Sequence, residues 1–263
     1  MSASRIWRHL SLLVVVLLAL LLFAPVAAAD NPNPRVLPPR SHYGGKSYRE
    51  WSIAWWQWAW AQPVATNALL QSGAVDCAAG RRNKHVWFLA GTFNTSDPLS
   101  RSCTIPTGTA LFFPVVNGWY DNVGLPPTTY PASELAGWLG AAMDGATGLH
   151  ATLKNNRTGE VTTFDNLTSY RASSRGFYTV TVPTPPSTNL YSLFATTYPG
   201  LTVPGTGWPS ATVPQVSDGY WLLLAPLPPG NYTLKFGGVI PDFGATVDVT
   251  YNITVVPAGQ HER

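Results

Sequence analysis

The chain has 263 residues and a formal net charge of +3, with only 11% charged residues against 45% hydrophobic and 12% aromatic ones. That hydrophobic content excludes a disordered chain. The lack of any Lys/Arg cluster or basic helix excludes nucleic acid as a partner, because binding it requires several phosphates to be neutralised.

Residues 1–29 read as a secretory signal peptide. Arg5 and Arg8 precede an apolar run from Leu10 to Phe23, and Ala27-Ala28-Ala29 leads to Asp30, which puts cleavage between Ala29 and Asp30. The competing reading is an uncleaved anchor, since the apolar stretch approaches the ~20 residues that span a bilayer. In that case the segment is the chain's sole contact with a membrane. Cleavage leaves 234 residues with 14 Lys+Arg against 13 Asp+Glu, enough chain for one large domain. The expected location is secreted or extracytoplasmic.

Residues 30–46 read as an extended tail, rich in Pro and Asn at its start and without the means to bury itself. Ser47 and Glu50 then form a capping-box pattern, and the run to Gln62 is stopped by Pro63, so a helix is expected near 47–62. It carries five tryptophans. At 100° per residue Trp51, Trp55 and Trp58 share a stripe, with Ile53, Trp56 and Trp60 almost opposite. Either both faces are buried, or one is open; in the second case Trp56 and Trp60 are the candidate ligand-binding pair, because the other stripe makes the better core.

His85–Phe93 and Ala110–Val116 are apolar runs bounded by Gly and Pro, and read as core strands. Cys77 and Cys103 are the two cysteines of an exported chain, so a disulfide is expected, tying the entrance of one of these strands to the entrance of the other. A reactive thiol assisted by His85 is the lesser alternative. Residues 131–144 form a second helix candidate, with Leu135, Trp138, Leu139 and Ala142 on one face.

From His150 onward the pattern is β. Val247, Val249, Tyr251, Ile253 and Val255 alternate with Asp248, Thr250, Asn252 and Thr254, which marks a long strand with one buried and one wet face. Pro183–Pro214 is too long for an ordinary connection and reads as a surface excursion of the kind that often carries binding sites. The fold expected is mainly β: one antiparallel β-sandwich over 47–257, jelly-roll or Ig-like, with the Trp-rich helix, one further helix and a C-terminal tail at 258–263.

The segments YGGKSYREW at Tyr43–Trp51 and WWQWA at Trp55–Ala59 resemble a family of exported microbial proteins of uncharacterised function. The likeness continues through VWFLAGTF (Val86–Phe93), CTIP (Cys103–Pro106), ALFFP (Ala110–Pro114), SDGYW (Ser217–Trp221) and PPGNY (Pro228–Tyr232). The resemblance touches most of the mature chain. It implies a single recurring domain and a Cys77–Cys103 pair, and it brings no catalytic residue with it.

Trp119 and Tyr120, beside Asp121, form a second aromatic candidate: rings next to a carboxylate suit carbohydrate, and equally suit a well-capped turn. A glycosidase would need two carboxyl groups across the scissile bond. Glu50, Asp76, Asp121, Asp218 and Asp242 are available, and Glu50 already has a capping role. His42, His85 and His150 stand apart from any metal-ligand spacing, so no metal or cofactor is expected; a weak calcium site on Asp121 or Asp144 is the residual alternative. Sequons at Asn94, Asn156, Asn166, Asn231 and Asn252 matter only in a host that glycosylates them.

The preferred functional reading is an exported, non-catalytic β-sandwich that binds a glycan or cell-surface component through aromatics. A carbohydrate-active enzyme with a fold-assembled carboxylate pair, and a structural envelope protein, are the alternatives.

Overall fold

The computed structural model describes residues 33, 35–93, 98–123, 129–197 and 211–258. All belong to one compact unit, Pro32–Arg263. The signal segment with Ala29 and Asp30, the sequon at Asn94 and the last five residues lie outside the described residues. No helix among the described residues is long and apolar enough to cross a membrane.

The chain is mainly β. Among the described residues ten strands run β1 Gly73–Ala74, β2 Val86–Phe88, β3 Leu99–Pro106, β4 Ala110–Asp121, β5 Thr147–Asn155, β6 Val161–Thr163, β7 Tyr178–Thr181, β8 Thr212–Leu224, β9 Gly230–Ile240 and β10 Ala245–Val256. They form a six-stranded sheet, β1-β3-β10-β9-β5-β6, and a four-stranded sheet, β2-β4-β8-β7. Both sheets are mixed, where an antiparallel sandwich was expected: β1 with β3, β3 with β10 and β2 with β4 are parallel. The parallel pair β2 and β4 is joined through β3 of the large sheet, so the chain crosses between sheets instead of turning back as a hairpin.

Helix α1, Tyr48–Trp60, begins at the expected capping box: Ser47 accepts from the Glu50 N–H, and the Glu50 carboxylate accepts from the Ser47 N–H at 2.8 Å. Both tryptophan faces are buried, leaving Arg49, Glu50 and Gln57 to solvent. Trp55 packs edge-on to Trp221 of β8 at 5.4 Å, and Trp221 stacks on Phe112 of β4 at 5.2 Å. On the opposite side of the small sheet Phe113 meets Phe236 of the large one at 4.7 Å. The small sheet is therefore sandwiched between α1 and the large sheet, and β4 and β8 are buried along most of their length, with continuous apolar and aromatic runs at Ala110–Val116 and Tyr220–Leu224. In β10 the expected alternation holds, with Val247, Val249, Tyr251, Ile253 and Val255 inward.

Three features differ from the sequence expectation. The tail is docked, not free: Val36 forms an antiparallel bridge with Leu224, and Tyr48 Oη donates to Leu37 O at 2.6 Å while accepting from the Leu223 N–H. On the second helix, α2 Ala132–Asp144, the buried stripe is Leu135, Leu139, Ala142 and Met143, which turns Trp138 to the edge, 44% exposed against the Tyr130 ring. A third helix, α3 Leu190–Thr197, lies inside the Pro183–Pro214 excursion.

The disulfide is present, with Cys77 and Cys103 5.8 Å apart at Cα. It joins a 3-10 turn, Cys77–Gly80, to the middle of β3 rather than two strand entrances, and no free thiol remains to pair with His85. Strand β3 is masked in sequence because an inward position holds Arg101, 1% exposed. Its guanidinium donates to Gln71 O, Ala68 O, Ala90 O and Gly91 O at 2.7–2.9 Å, and to Tyr251 Oη at 3.0 Å. A planar five-donor fork thus replaces secondary structure as the partner of several loop carbonyls.

Arg101→Met takes this donor from all four carbonyls and leaves Ala90 O with Tyr251 Oη alone. The expected cost is at least about 3 kcal/mol, read as a lowered urea midpoint, since each stranded buried acceptor costs on the order of 1–3 kcal/mol. A change under about 1 kcal/mol would show that the loops do not depend on the guanidinium.

Candidate functional site

Strand β4 is central in its sheet, yet contains Pro114, and a central-strand proline is tolerated mainly at bulges. The register with β8 slips by one residue there: Pro114 pairs with Trp221, but Val116 pairs with Tyr220. Because side chains alternate with period two, one extra residue inverts every later side chain. Before the bulge Phe112 faces α1 and Phe113 faces the large sheet. After it, Trp119 faces α1, with Trp56 and Trp60 at 5.2 and 5.1 Å, while Tyr120 faces Phe243 of the β9–β10 connection at 5.8 Å. Gly118 makes the close approach feasible, because a Cβ there would lie 2.5 Å from the Phe243 ring.

Helix α3 closes the opposite side. Tyr191 stacks on Trp60 at 4.5 Å, and Phe194 meets Phe93 at 5.2 Å and Trp119 at 5.7 Å. Between these groups lies a cavity of about 600 Å³. Its lining includes Trp56, Phe93, Trp119, Tyr120, Phe194 and Phe243. Two carboxylates, Asp121 and Asp242, also line it, and among the described residues no Lys, Arg or His does.

Asp121 ends β4 opposite Gln215 of β8. Its carboxylate accepts from Tyr191 Oη at 2.5 Å, the Val123 N–H at 2.9 Å, Trp119 Nε1 at 3.2 Å and Gln215 Nε2 at 3.3 Å. Gln215 also donates to Tyr191 Oη at 2.9 Å and accepts from Tyr178 Oη at 3.4 Å. Burial pushes the Asp121 carboxyl above the usual carboxylate range, and these donors pull it partway back. The Tyr191 hydroxyl is pushed well up, first by burial and then by the neighbouring Asp121 charge. The donor set is neutral throughout: the ion pairs among the described residues are Arg171 with Asp144 and with Asp218.

Of the sequence candidates, Trp56, Trp119, Tyr120 and Asp121 meet at this cavity. Trp56 and Trp60 do not form an open platform; they are 1% and 0% exposed, and Trp60 sits behind the wall against Tyr191. Among the acids, Glu50 caps α1, Asp76 caps the 3-10 turn, Asp218 chelates Arg171, and only Asp121 and Asp242 share the cavity. Asp144 is held by Arg171, and no group of three or more His, Cys, Asp or Glu among the described residues is arranged to hold a metal. The sequon asparagines Asn156, Asn166, Asn231 and Asn252 are all exposed, away from the cavity lining. Sequence reasoning missed Tyr191, Phe194, Gln215 and the wall made by Phe243. Pro114 was the available signal for the bulge that aims Trp119 and Asp121.

Comparisons with protein-family models, with curated proteins and with solved structures return no match.

Tyr191→Phe removes one donor from Asp121 and is expected to cost about 1.5–3 kcal/mol at neutral pH, the range for a hydrogen bond to a charged group. Asp121 titrates higher in the fold than in the unfolded chain, and the variant raises it further, so the folded state binds its proton more readily. The loss should therefore shrink as pH falls below the carboxylate range, where Asp121 is protonated in both states. Urea titrations of both proteins at neutral and acid pH measure this; an equal loss at both would mean that Asp121 is not carrying a charge.

Proposed function

We propose that the protein is an exported, non-catalytic binding protein that takes up a small ligand at the bulged end of its β-sandwich. The observation that carries the reading is the cavity itself. At about 600 Å³, walled by aromatic rings with a few convergent polar groups, it matches the size and make-up of small-molecule sites. Export is supported by the leader-like first 29 residues and by a disulfide, which is compatible with an extracytoplasmic location. The resemblance to a family of exported microbial proteins agrees with the same reading. A glycan remains within this proposal, with Trp119 and Tyr120 as its stacking rings, although the buried Trp56 and Trp60 no longer supply a surface platform.

A carbohydrate-active enzyme keeps one specific observation in its favour: Asp121 and Asp242 line the same cavity. Asp121, whose carboxyl burial pushes up, suits the role of general acid, leaving the exposed Asp242 as the second carboxylate. Release of chromophore from aryl glycosides by the purified chain, lost in Asp242→Asn, would replace the binding reading with this one.

A thermal-shift screen of the full chain against glycans and small molecules tests the proposal. A ligand at 100 times its Kd stabilises by about 2.7 kcal/mol, a rise in Tm of roughly 5–10 °C for a domain of this size. Ala245 lines the cavity, and Ala245→Trp adds an indole to it. The expected result is a shift in the parent that disappears in the variant. A shift that survives in Ala245→Trp places binding elsewhere.

A further inference from the structure

The cavity's chemistry is one-sided. Two carboxylates line it, and among the described residues no cationic side chain does. Neither Asp121 nor Asp242 takes part in an ion pair among the described residues.

The rings are arranged differently from a sugar platform. Trp119 contacts Trp56, Trp60, Phe93 and Phe194 at 5.1–5.7 Å, with planes inclined by 38–77°. Phe93 and Phe194 meet at 82° and Tyr120 and Phe243 at 76°. Sugar rings stack on one broad open face. Walls that stand steeply to one another instead surround a compact group from several sides, and the negative faces of aromatic rings attract a cation.

We propose that the ligand of this cavity is an organic cation: an alkylated ammonium head held by the rings and balanced by Asp121 and Asp242. This deepens the binding reading and rests on it. The volume exceeds that of a bare tetraalkylammonium head several-fold, so the head is one part of a larger molecule. Recognition is electrostatic, and it separates the cation from a neutral molecule of the same shape.

Choline and 3,3-dimethylbutan-1-ol, which replaces the charged nitrogen with carbon, are the matched probes. Each is titrated into the full chain at low salt, with binding followed by tryptophan fluorescence and by calorimetry, beside a panel of neutral oligosaccharides. The expected result is choline binding at least about 10-fold tighter than the alcohol, weakened several-fold by Asp242→Asn. Asp242 is exposed and lies in a short turn, so this variant keeps the fold. Choline and the alcohol binding equally, or the oligosaccharides binding while choline does not, overturns the cation assignment and leaves the cavity as a ligand site. No binding by any probe overturns both readings. An undiminished choline affinity in Asp242→Asn, with selectivity over the alcohol lost in Asp121→Asn, would keep the cation and assign its balance to Asp121 alone; retention of selectivity in both variants overturns the assignment.

Discussion

The packing of α1 against the outer face of the four-stranded sheet is the constraint on which the rest depends. That sheet has the large sheet on its other side, so β4 and β8 lose water on both faces over Ala110–Val116 and Tyr220–Leu224, where every side chain is apolar or aromatic. Each of the five α1 indoles buries on the order of 150–250 Å², about 4–6 kcal/mol of transfer free energy as an upper bound before entropy is charged. Three of them also act as hydrogen-bond anchors. Trp51 donates to Tyr43 O, Trp55 to Leu89 O and Trp58 to Ala79 O, each at 2.9 Å, so the helix fixes three loops as well as a core.

The cavity follows from that arrangement and one irregularity. Had β4 continued in register, Trp119 and Asp121 would face the large sheet and Tyr120 would face α1. The bulge at Pro114/Val116 inverts them, gives Trp119 to the α1 aromatics, and leaves the space between the rings, α3 and the β9–β10 connection as a cavity. The indoles serve the fold at one end of α1 and the candidate site at the other. Trp55 and Trp56 line the cavity and are at the same time 1% exposed, so the site's walls are the core's own surface and are as rigid as the core.

Buried polar groups are handled in three ways. Arg101 is neutralised by no acid among the described residues and is held instead by carbonyls and the Tyr251 ring at 5.4 Å. Arg171 is paired with Asp218 and Asp144 and donates to Gly140 O, joining the end of α2 to β8. The ion pairs raise its pKa further. Asp121 has neutral donors alone and lines the aromatic cavity beside α3. The two guanidiniums direct their donors at protein acceptors, whereas Asp121 has no cationic partner among the described residues.

Local chemistry made much of this legible in the residues. The Ser47/Glu50 reciprocity marked the start of α1, period-two alternation marked β10, and two cysteines in a chain with a leader-like start marked the disulfide. Each of these signals is complete within a few residues of sequence or within a compartment rule. The parallel pairings, the inward Arg101 that hid β3, the docking of Val36 on Leu224 and the inversion after Pro114 depend on which segments meet across the sandwich, and no local pattern encodes that. The candidate site divides the same way. Sequence alone determined that Trp56, Trp119, Tyr120 and Asp121 were available, as ring and carboxylate types near one another along two short segments. The tertiary structure alone decided that they share a cavity with Tyr191, Phe194 and Asp242 and that Trp60 is behind its wall, because a side chain's direction is set by strand register and helix packing rather than by its identity.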